Sequence, residues 1–325
     1  MRFSLKRRQL VAAALAAMPL PALAQGARYP DRPVRVLIPF APGGGVDVVG
    51  RIMASVLQAR LGQPFVVENR PGGGGLVALR AVAAAPPDGY LLGIGAPGPL
   101  TIAPTLLPNA NFDTLALLEP VQLFASTPGI LIGRRGLPAS LAEVVAMSRA
   151  PGARLTMASA GTGSVLHLMG EHLQEKLGVK WTHVPYRGSG PAFADLLAGN
   201  VDLMVDVVPT SAPLVQAGQV RAFFVTMPAR APQLPEVPTS AEVGLGASDM
   251  GSWMALLGPR GLPAPIVAAL NEALNAGLQD AALRERVIAS GAVPVGGPPE
   301  VLAARIRQET PLWAQIIRAN NVQAE

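Results

Sequence analysis

The chain contains no cysteine. Disulfides, Cys-based metal sites, thiol nucleophiles and a lipid-modified N-terminal Cys are therefore excluded. Lysine occurs only at Lys6, Lys176 and Lys180, and no G-x-x-x-x-G-K-[ST] string is present, so there is no Walker-type phosphate loop. Charge is also scarce, at 14% of 325 residues. Four of the 26 basic residues lie before Ala24, which leaves 22 against 21 acidic residues in the remainder. A nearly neutral chain lacks the concentrated basic face that nucleic-acid binding requires. After residue 24, no apolar run is long enough to span a bilayer.

What precedes Ala24 reads as a secretory leader. Arg2, Lys6, Arg7 and Arg8 form a basic start, Leu10 to Met18 is apolar, and Pro19 and Pro21 break the run. Ala22-Leu23-Ala24 fits small-x-small cleavage. The run is too short for a membrane anchor. Lys6-Arg7-Arg8-Gln9-Leu10 loosely resembles a twin-arginine signal but also suits an ordinary leader, so the export route stays open. The sequence predicts a soluble exported protein, located in the periplasm, with residues 1–24 as signal peptide.

Gly and Pro are frequent, but they punctuate periodic segments. Val34 to Phe40 is a β-branched apolar run that reads as a buried strand. Ala41 to Val46 is a loop holding Pro42, Gly43, Gly44 and Gly45. Asp47 is then expected to open a helix that Gly62 ends. Further strands are expected at Pro64–Glu68 and Tyr90–Ile94, with a helix at Leu76–Ala85 between them. This β-α-β-α-β order indicates a parallel sheet with helices on its faces. Residues 95–120, broken by five prolines, read as an irregular connection. Val121–Ala125 and Ile130–Ile132 read as separate strands around Ser126-Thr127-Pro128-Gly129.

The opening pattern then recurs about 120 residues later: strand Leu155–Ala158, small-residue loop Ser159–Gly163, and a helix from Ser164 that ends at Gly178. Two similarly built lobes follow from this. Strands are expected at Lys180–Val184, Val201–Asp206, Val220–Thr226 and Trp253–Leu257, with helices at Pro191–Ala198 and Thr210–Ala217. Pro-rich Met227–Pro238 reads as the return crossing, and helices close the chain at Ile266–Leu278, Ala281–Ser290 and Pro299–Arg318, the last broken or kinked by Pro311. The expected division is residues 25–125 with 228–325 as lobe I and 126–227 as lobe II.

Four chemistries can be weighed. Gly93-Ile94-Gly95-Ala96-Pro97-Gly98 is a literal G-x-G-x-x-G, but Pro97, Pro99 and Pro104 predict that no helix starts there, and a dinucleotide site needs that helix. His167, Glu171 and His172 read H-x-x-x-E-H, yet positions 167 and 172 lie about 140° apart on a helix and cannot share one ion. His183 stands alone on a strand, and neither cofactor nor metal is expected. Ser164 at a strand-to-helix turn, one turn from His167, suggests an exported serine hydrolase, but the local string is not G-x-S-x-G, and a helix N-cap is the simpler account. The fourth chemistry is anion capture. Two helices begin in small-residue loops, each offering unpaired N–H donors and a partial positive charge, with hydroxyls from Thr162 and Ser164. The alternative is ordinary βα loops whose glycines serve turn geometry.

Tyr29-Pro30-Asp31-Arg32-Pro33, Pro39-Phe40-Ala41-Pro42-Gly43-Gly44-Gly45-Val46-Asp47 and Val67-Glu68-Asn69-Arg70-Pro71-Gly72 resemble the Bug proteins. These are the extracytoplasmic solute receptors (TctC family) of tripartite tricarboxylate transporters. The likeness continues through Pro87-Asp88-Gly89-Tyr90, Ser159 to Ser164 with His167-Leu168, Val184-Pro185-Tyr186-Arg187-Gly188 and Pro235-Glu236-Val237-Pro238-Thr239. It implies an α/β, two-lobed periplasmic binding protein fold of type II-like form, each lobe a mostly parallel sheet flanked by helices, with the ligand in the cleft between lobes. The implied protein is a monomer and not an enzyme. It binds a di- or tricarboxylate, an acidic amino acid or an aromatic acid, and passes it to membrane permease subunits. A sensory partner of a membrane kinase would look the same. The resemblance also implies that one carboxylate is held between Phe40, Gly43, Gly44, Gly45 and Asp47 and Ser159, Ala160, Thr162, Gly163 and Ser164, bridged by water. Ala96 lies on the implied cleft-edge loop Gly95–Gly98. Asp206 matches a cleft aspartate, followed here by Val207 where the family often has Asn. The apolar Gly95–Gly98 loop leads us to expect a ligand whose distal part is less polar than citrate.

Overall fold

The computed structural model describes residues 29–107, 109–186, 188–246 and 250–324. The expected leader, together with Pro108 and Arg187 of the segments above, lies outside the described residues.

The first sheet contains β1 (Val34–Ile38), β2 (Phe65–Asn69), β3 (Leu91–Gly95), β9 (Gly251–Pro259) and the first part of β4 (Leu118–Arg134). β1 pairs in parallel with β2 and β3, while β9 runs antiparallel to both β3 and β4. The second sheet contains the end of β4 with β5 (Thr156–Ser159), β6 (Thr182–Pro185), β7 (Leu203–Val207) and β8 (Val220–Val225). β5 is parallel to β6 and β7, and β4 is antiparallel to β7 and β8. Each sheet therefore has a parallel part, as its βαβ sequence pattern requires, and an antiparallel part contributed by the long strands β4 and β9.

β4 joins the lobes. Ser126–Gly129 reads as a turn in the sequence, but the chain continues as strand through it: Leu118 to Pro128 pairs with β9, and Gly129 to Gly133 pairs with β7. Pro128 falls where the partner changes, a position at which a missing N–H does not interrupt a ladder. The return crossing also differs from expectation. Ala231, Leu234 and Val237 pack with Ile130, Ile132 and Val225 of the second sheet, so the prolines of Met227–Pro238 shape a covering loop there. The chain rejoins the first sheet only at Gly251.

The strands are apolar on both faces because both are covered. In β1, Val36 and Ile38 enter a cluster with Met53, Phe124 and Leu274, while Leu37 points to the opposite cluster with Leu79, Trp253 and Leu257. The covering helices are α1 (Gly45–Leu61), α2 (Leu76–Ala83) and, late in the chain, α9 (Ala264–Leu278), α10 (Ala281–Ala289) and α11 (Pro299–Ala319). A short strand β10 (Val293–Pro294) pairs with β4. On the second lobe lie α5 (Leu141–Arg149), α6 (Val165–Leu177), α7 (Ser189–Ala198) and α8 (Val208–Gln216).

The prolines of residues 95–120 do not keep the chain irregular there. Gly98–Ile102 forms a π-helical turn and Ala103–Leu106 the short α3, despite Pro97, Pro99 and Pro104. These prolines sit in the first positions of helical turns, where no N–H bond is needed. The four-residue α4 (Thr114–Leu117) follows, capped by Asp113. α11 runs unbroken through Pro311. Its Leu302 and Ile306 pack on the first lobe, whereas Trp313, Ile316 and Ile317 share a cluster with Ile102 of the first lobe and Leu168 of the second.

Candidate functional site

Helix α1 starts at Gly45, two residues before the Asp47 start expected from the sequence, with extended Gly44 as its N-cap. No side chain caps this terminus, and the first intrahelical bond runs from Val48 N–H to Gly44 O at 3.0 Å. The N–H groups of Gly45, Val46 and Asp47 thus have no acceptor within the helix. Ala41 to Gly45 are exposed, and a Cβ placed on Gly43, Gly44 or Gly45 would meet no atom within 4 Å. The glycine loop faces open space.

Asp47 does not face that space. Its buried carboxylate accepts from Gly43 N–H (2.9 Å), Arg51 Nε (3.0 and 3.1 Å) and Asn69 Nδ2 (2.7 Å). Burial pushes this carboxyl up, and the bonds from Arg51, Gly43 and Asn69 together more than offset that and hold it below the usual carboxylate range. It fixes the loop, with φ of +87° at Gly43, rather than offering an acceptor to a ligand. Asn69 also holds the Phe40 carbonyl at 3.0 Å. Arg51 and Asn69 are the supports that reading by motif missed, although Asn69 lies in the quoted Val67–Gly72 string.

The second jaw is built differently. Ser164 Oγ caps α6 by accepting the His167 N–H (3.2 Å), and Gly163 N–H donates to His167 Nδ1 (3.0 Å). His167 Nδ1 must therefore be unprotonated, with its proton on Nε2, which lies 3.5 Å from Glu171. Ser164 and His167 are not arranged as nucleophile and base: the serine oxygen serves the helix terminus and the imidazole serves the loop. His183 is not alone. Its ring stacks on His167, with centroids 3.7 Å apart, and its Nε2 lies 2.7 Å from Ser159 Oγ. Ser159 is fully buried, so it braces the jaw from behind. Ala160 O accepts from Gly188 N–H at 3.2 Å, and Ala160 and Thr162 stand half-buried at the loop surface. The first intrahelical bond of α6 is Leu168 N–H to Ser164 O, which leaves Val165 and Leu166 N–H as the donors of this terminus.

The second jaw lines a cavity of about 350 Å³ whose opposite wall is Gly74, Gly98, Ile102, Ala103, Leu106 and Leu107 of the first lobe. Pro39, just before the first jaw, approaches the segment next to this wall: a Cβ on Gly75 would lie 3.2 Å from Pro39 and 2.8 Å from Pro99. Ala96 is buried behind this wall, its carbonyl accepting Leu100 N–H at 3.2 Å. Asp206, at the end of β7, is fully buried and bonded by Ser189 (2.8 Å), Thr210 (2.5 Å) and Ser211 (3.3 Å) hydroxyls. Burial raises its carboxyl above the usual range despite these bonds. Among the described residues, no group of three or more His, Asp or Glu is placed to hold a metal, and no helix is long and apolar enough to cross a membrane.

Two α/β lobes joined by paired long strands, with a small-residue helix entrance in each lobe, define a two-lobed solute-binding protein. Comparison with known proteins names the family. Residues 49–322 match the tripartite tricarboxylate transporter family receptor (TctC), and the chain belongs to that family. It is similar to the protein BugT of Bordetella pertussis, 35% identical over 292 residues that cover 89% of this chain and 90% of BugT. It is also similar to MatC (Rpa3494) from Rhodopseudomonas palustris with bound malate (TM-score 0.72, 35% identity, 89% of this chain and 100% of that one). A third likeness is to R. palustris Rpa4515 with adipate (TM-score 0.75, 34% identity, 91% of this chain and 99% of that one).

Proposed function

We propose that this protein is a periplasmic receptor that captures a small carboxylate between its lobes and delivers it to the membrane permease subunits of a tripartite tricarboxylate transporter, acting as a monomer and without catalysis. The observation that carries the reading is the exposed Gly43–Gly45 loop, which ends in three helix N–H groups without an acceptor in the helix. Such a terminus attracts an anion by its donors and its partial charge together, without Arg or Lys. The second jaw adds Val165 and Leu166 N–H with the Thr162 and Ser164 hydroxyls. Malate and adipate in two relatives support carboxylate as the ligand class. Closure would follow from contacts made to both lobes at once. A thermal-shift panel of mono-, di- and tricarboxylates tests the proposal. A ligand at 100 times its Kd adds about 2.7 kcal/mol of stability, a clear rise in Tm. No shift across the whole panel would overturn it.

A further inference from the structure

We infer that ligand affinity is gated by pH through His167: the second jaw keeps its shape only while His167 Nδ1 carries no proton, so acidification releases the bound acid. This rests on the carboxylate-receptor reading and adds a regulation of that same site. His167 and His183 brace opposite ends of the jaw loop. His167 Nδ1 accepts the Gly163 N–H at 3.0 Å, and His183 Nε2 lies 2.7 Å from Ser159 Oγ. The two contacts differ in kind. A hydroxyl both donates and accepts, so Ser159 can serve His183 in either protonation state. A backbone N–H only donates, so a proton on His167 Nδ1 sets N–H against N–H and forfeits the bond. The loss falls at Gly163, two residues before Val165, whose N–H is one of the donors that the jaw offers an anion.

The charges around the pair act in both directions. The rings stack with centroids 3.7 Å apart and planes within 9° of parallel. Two imidazolium charges at that distance repel, so a proton on one ring delays a proton on the other and the pair titrates as a unit. Glu171 lies 3.5 Å from His167 Nε2. Burial pushes its carboxyl up, but the bond from His167 and the charges of both imidazoles more than offset this and hold it below the usual range. Glu171 is therefore ionised while the imidazoles titrate, and it favours their charged form. Arg154 and Lys180, which line the same cavity as both rings, oppose it, and Asn320, Asn321 and Gln323 of the C-terminal segment add no charge there. His172, the third histidine, is about 140° around α6 from His167 and lines a different cavity with Lys176, Arg305 and Glu309. Imidazoles in general change charge between about pH 5 and 8, where most carboxylic acids stay ionised.

The test is calorimetric titration of the full mature chain with malate, adipate or whichever panel acid raises Tm most. Kd is expected to rise roughly tenfold between about pH 7.5 and 5.5, within the limit of tenfold per pH unit that one excluded proton sets. His167→Gln offers Gly163 a carbonyl oxygen, an acceptor that does not titrate, and is expected to flatten the profile. The acid's own titration is common to both proteins and cancels in the ratio of their Kd values. His183→Phe keeps a stacked ring and is expected to leave the acid-side loss in place. Equal profiles for wild type and a folded His167→Gln variant overturn the inference while leaving the receptor reading intact. Should that variant not fold, the wild type decides alone. Titration near neutral pH in buffers of different ionisation enthalpy is expected to show protons released on binding, beyond those the free acid carries. No release, or net uptake, overturns the inference. If no panel acid binds at any pH, the receptor reading falls and this inference with it.

Discussion

Gly44→Val separates ligand binding from folding. Gly44 has φ −77° and ψ 164°, extended backbone that a β-branched residue adopts readily. Its added Cβ meets no atom within 4 Å, so the new side chain projects into open space beside the α1 terminus. The stability cost is that of replacing a tolerated N-cap by a poor one, about 1 kcal/mol, or a few degrees in Tm. The effect on binding is larger. The valine methyls stand where a carboxylate must approach Gly45, Val46 and Asp47 N–H. Loss of the terminal charge interaction removes about 0.3–2 kcal/mol, and loss of one charge-assisted hydrogen bond about 1.5–3 more. Together these weaken binding by roughly 20- to 4,000-fold, at 1.4 kcal/mol per tenfold. The assay is titration with whichever panel acid shifts the wild-type Tm, alongside the apo melting curve. Gly44→Ala, with one methyl, is expected to fall between wild type and Gly44→Val. An unchanged Kd in a folded Gly44→Val variant would refute the assignment of this loop as a jaw.

Other perturbations address the supports. Asp47→Ala removes the acceptor of Gly43, Arg51 and Asn69 and is expected to cost about 1–3 kcal/mol of stability and to weaken binding, measured by denaturant melts and titration. The Asp47 carboxyl is held below its unfolded value of about 3.9, so its contribution is present above that pH and is lost as pH falls through the lower folded value; Asp47→Asn should flatten the acid side of a Tm–pH profile. Asp206 has the opposite sign. Its raised folded pKa makes the carboxyl most favourable to folding below about pH 3.9, with stability lost as pH rises through the folded value, so Asp206→Asn should remove that decline, and an unaltered profile would contradict the burial argument. His167→Phe keeps a ring against His183 but leaves Gly163 N–H without its acceptor, and binding should weaken by roughly tenfold with a smaller change in Tm.

Much of the fold is legible in the sequence because the βα units carry local signals. Apolar runs of five residues, glycines in the left-handed region at Gly62 and Gly178, and Ser164 ahead of a periodic segment each act within a few residues. What is not legible depends on partners distant in sequence. Ser126–Gly129 has turn composition, and only the ladders with β9 and β7 make it strand. Pro97, Pro99 and Pro104 look prohibitive until their place in the first turns is known, and Pro311 is tolerated inside a helix packed on both lobes. In the site, the two glycine-rich entrances are local and therefore visible. The His167–His183 stack and the Asn69–Asp47 bond join residues 16 and 22 positions apart across different elements, which no spacing rule anticipates.

These hidden contacts make the two jaws chemically unequal. At the first jaw, Asp47 reaches back to Gly43 and leaves the three α1 donors without an acceptor in the helix, with Gly45 exposed, Val46 half-buried and Asp47 buried. At the second, Ser164 and His167 consume the N–H groups of His167 and Gly163, and the loop is half-buried against Leu106. On the proposed reading the first jaw would offer an anion backbone donors alone, and the second would offer Val165 and Leu166 N–H together with the Thr162 and Ser164 hydroxyls. Discrimination between acids of equal charge should accordingly follow substitutions at Ala103, Leu106 and Thr162, whereas changes at Gly43 to Gly45 should weaken every carboxylate by a similar factor. A panel of three acids against one variant from each jaw would separate these two patterns, and uniform loss from both jaws would show that the division is wrong.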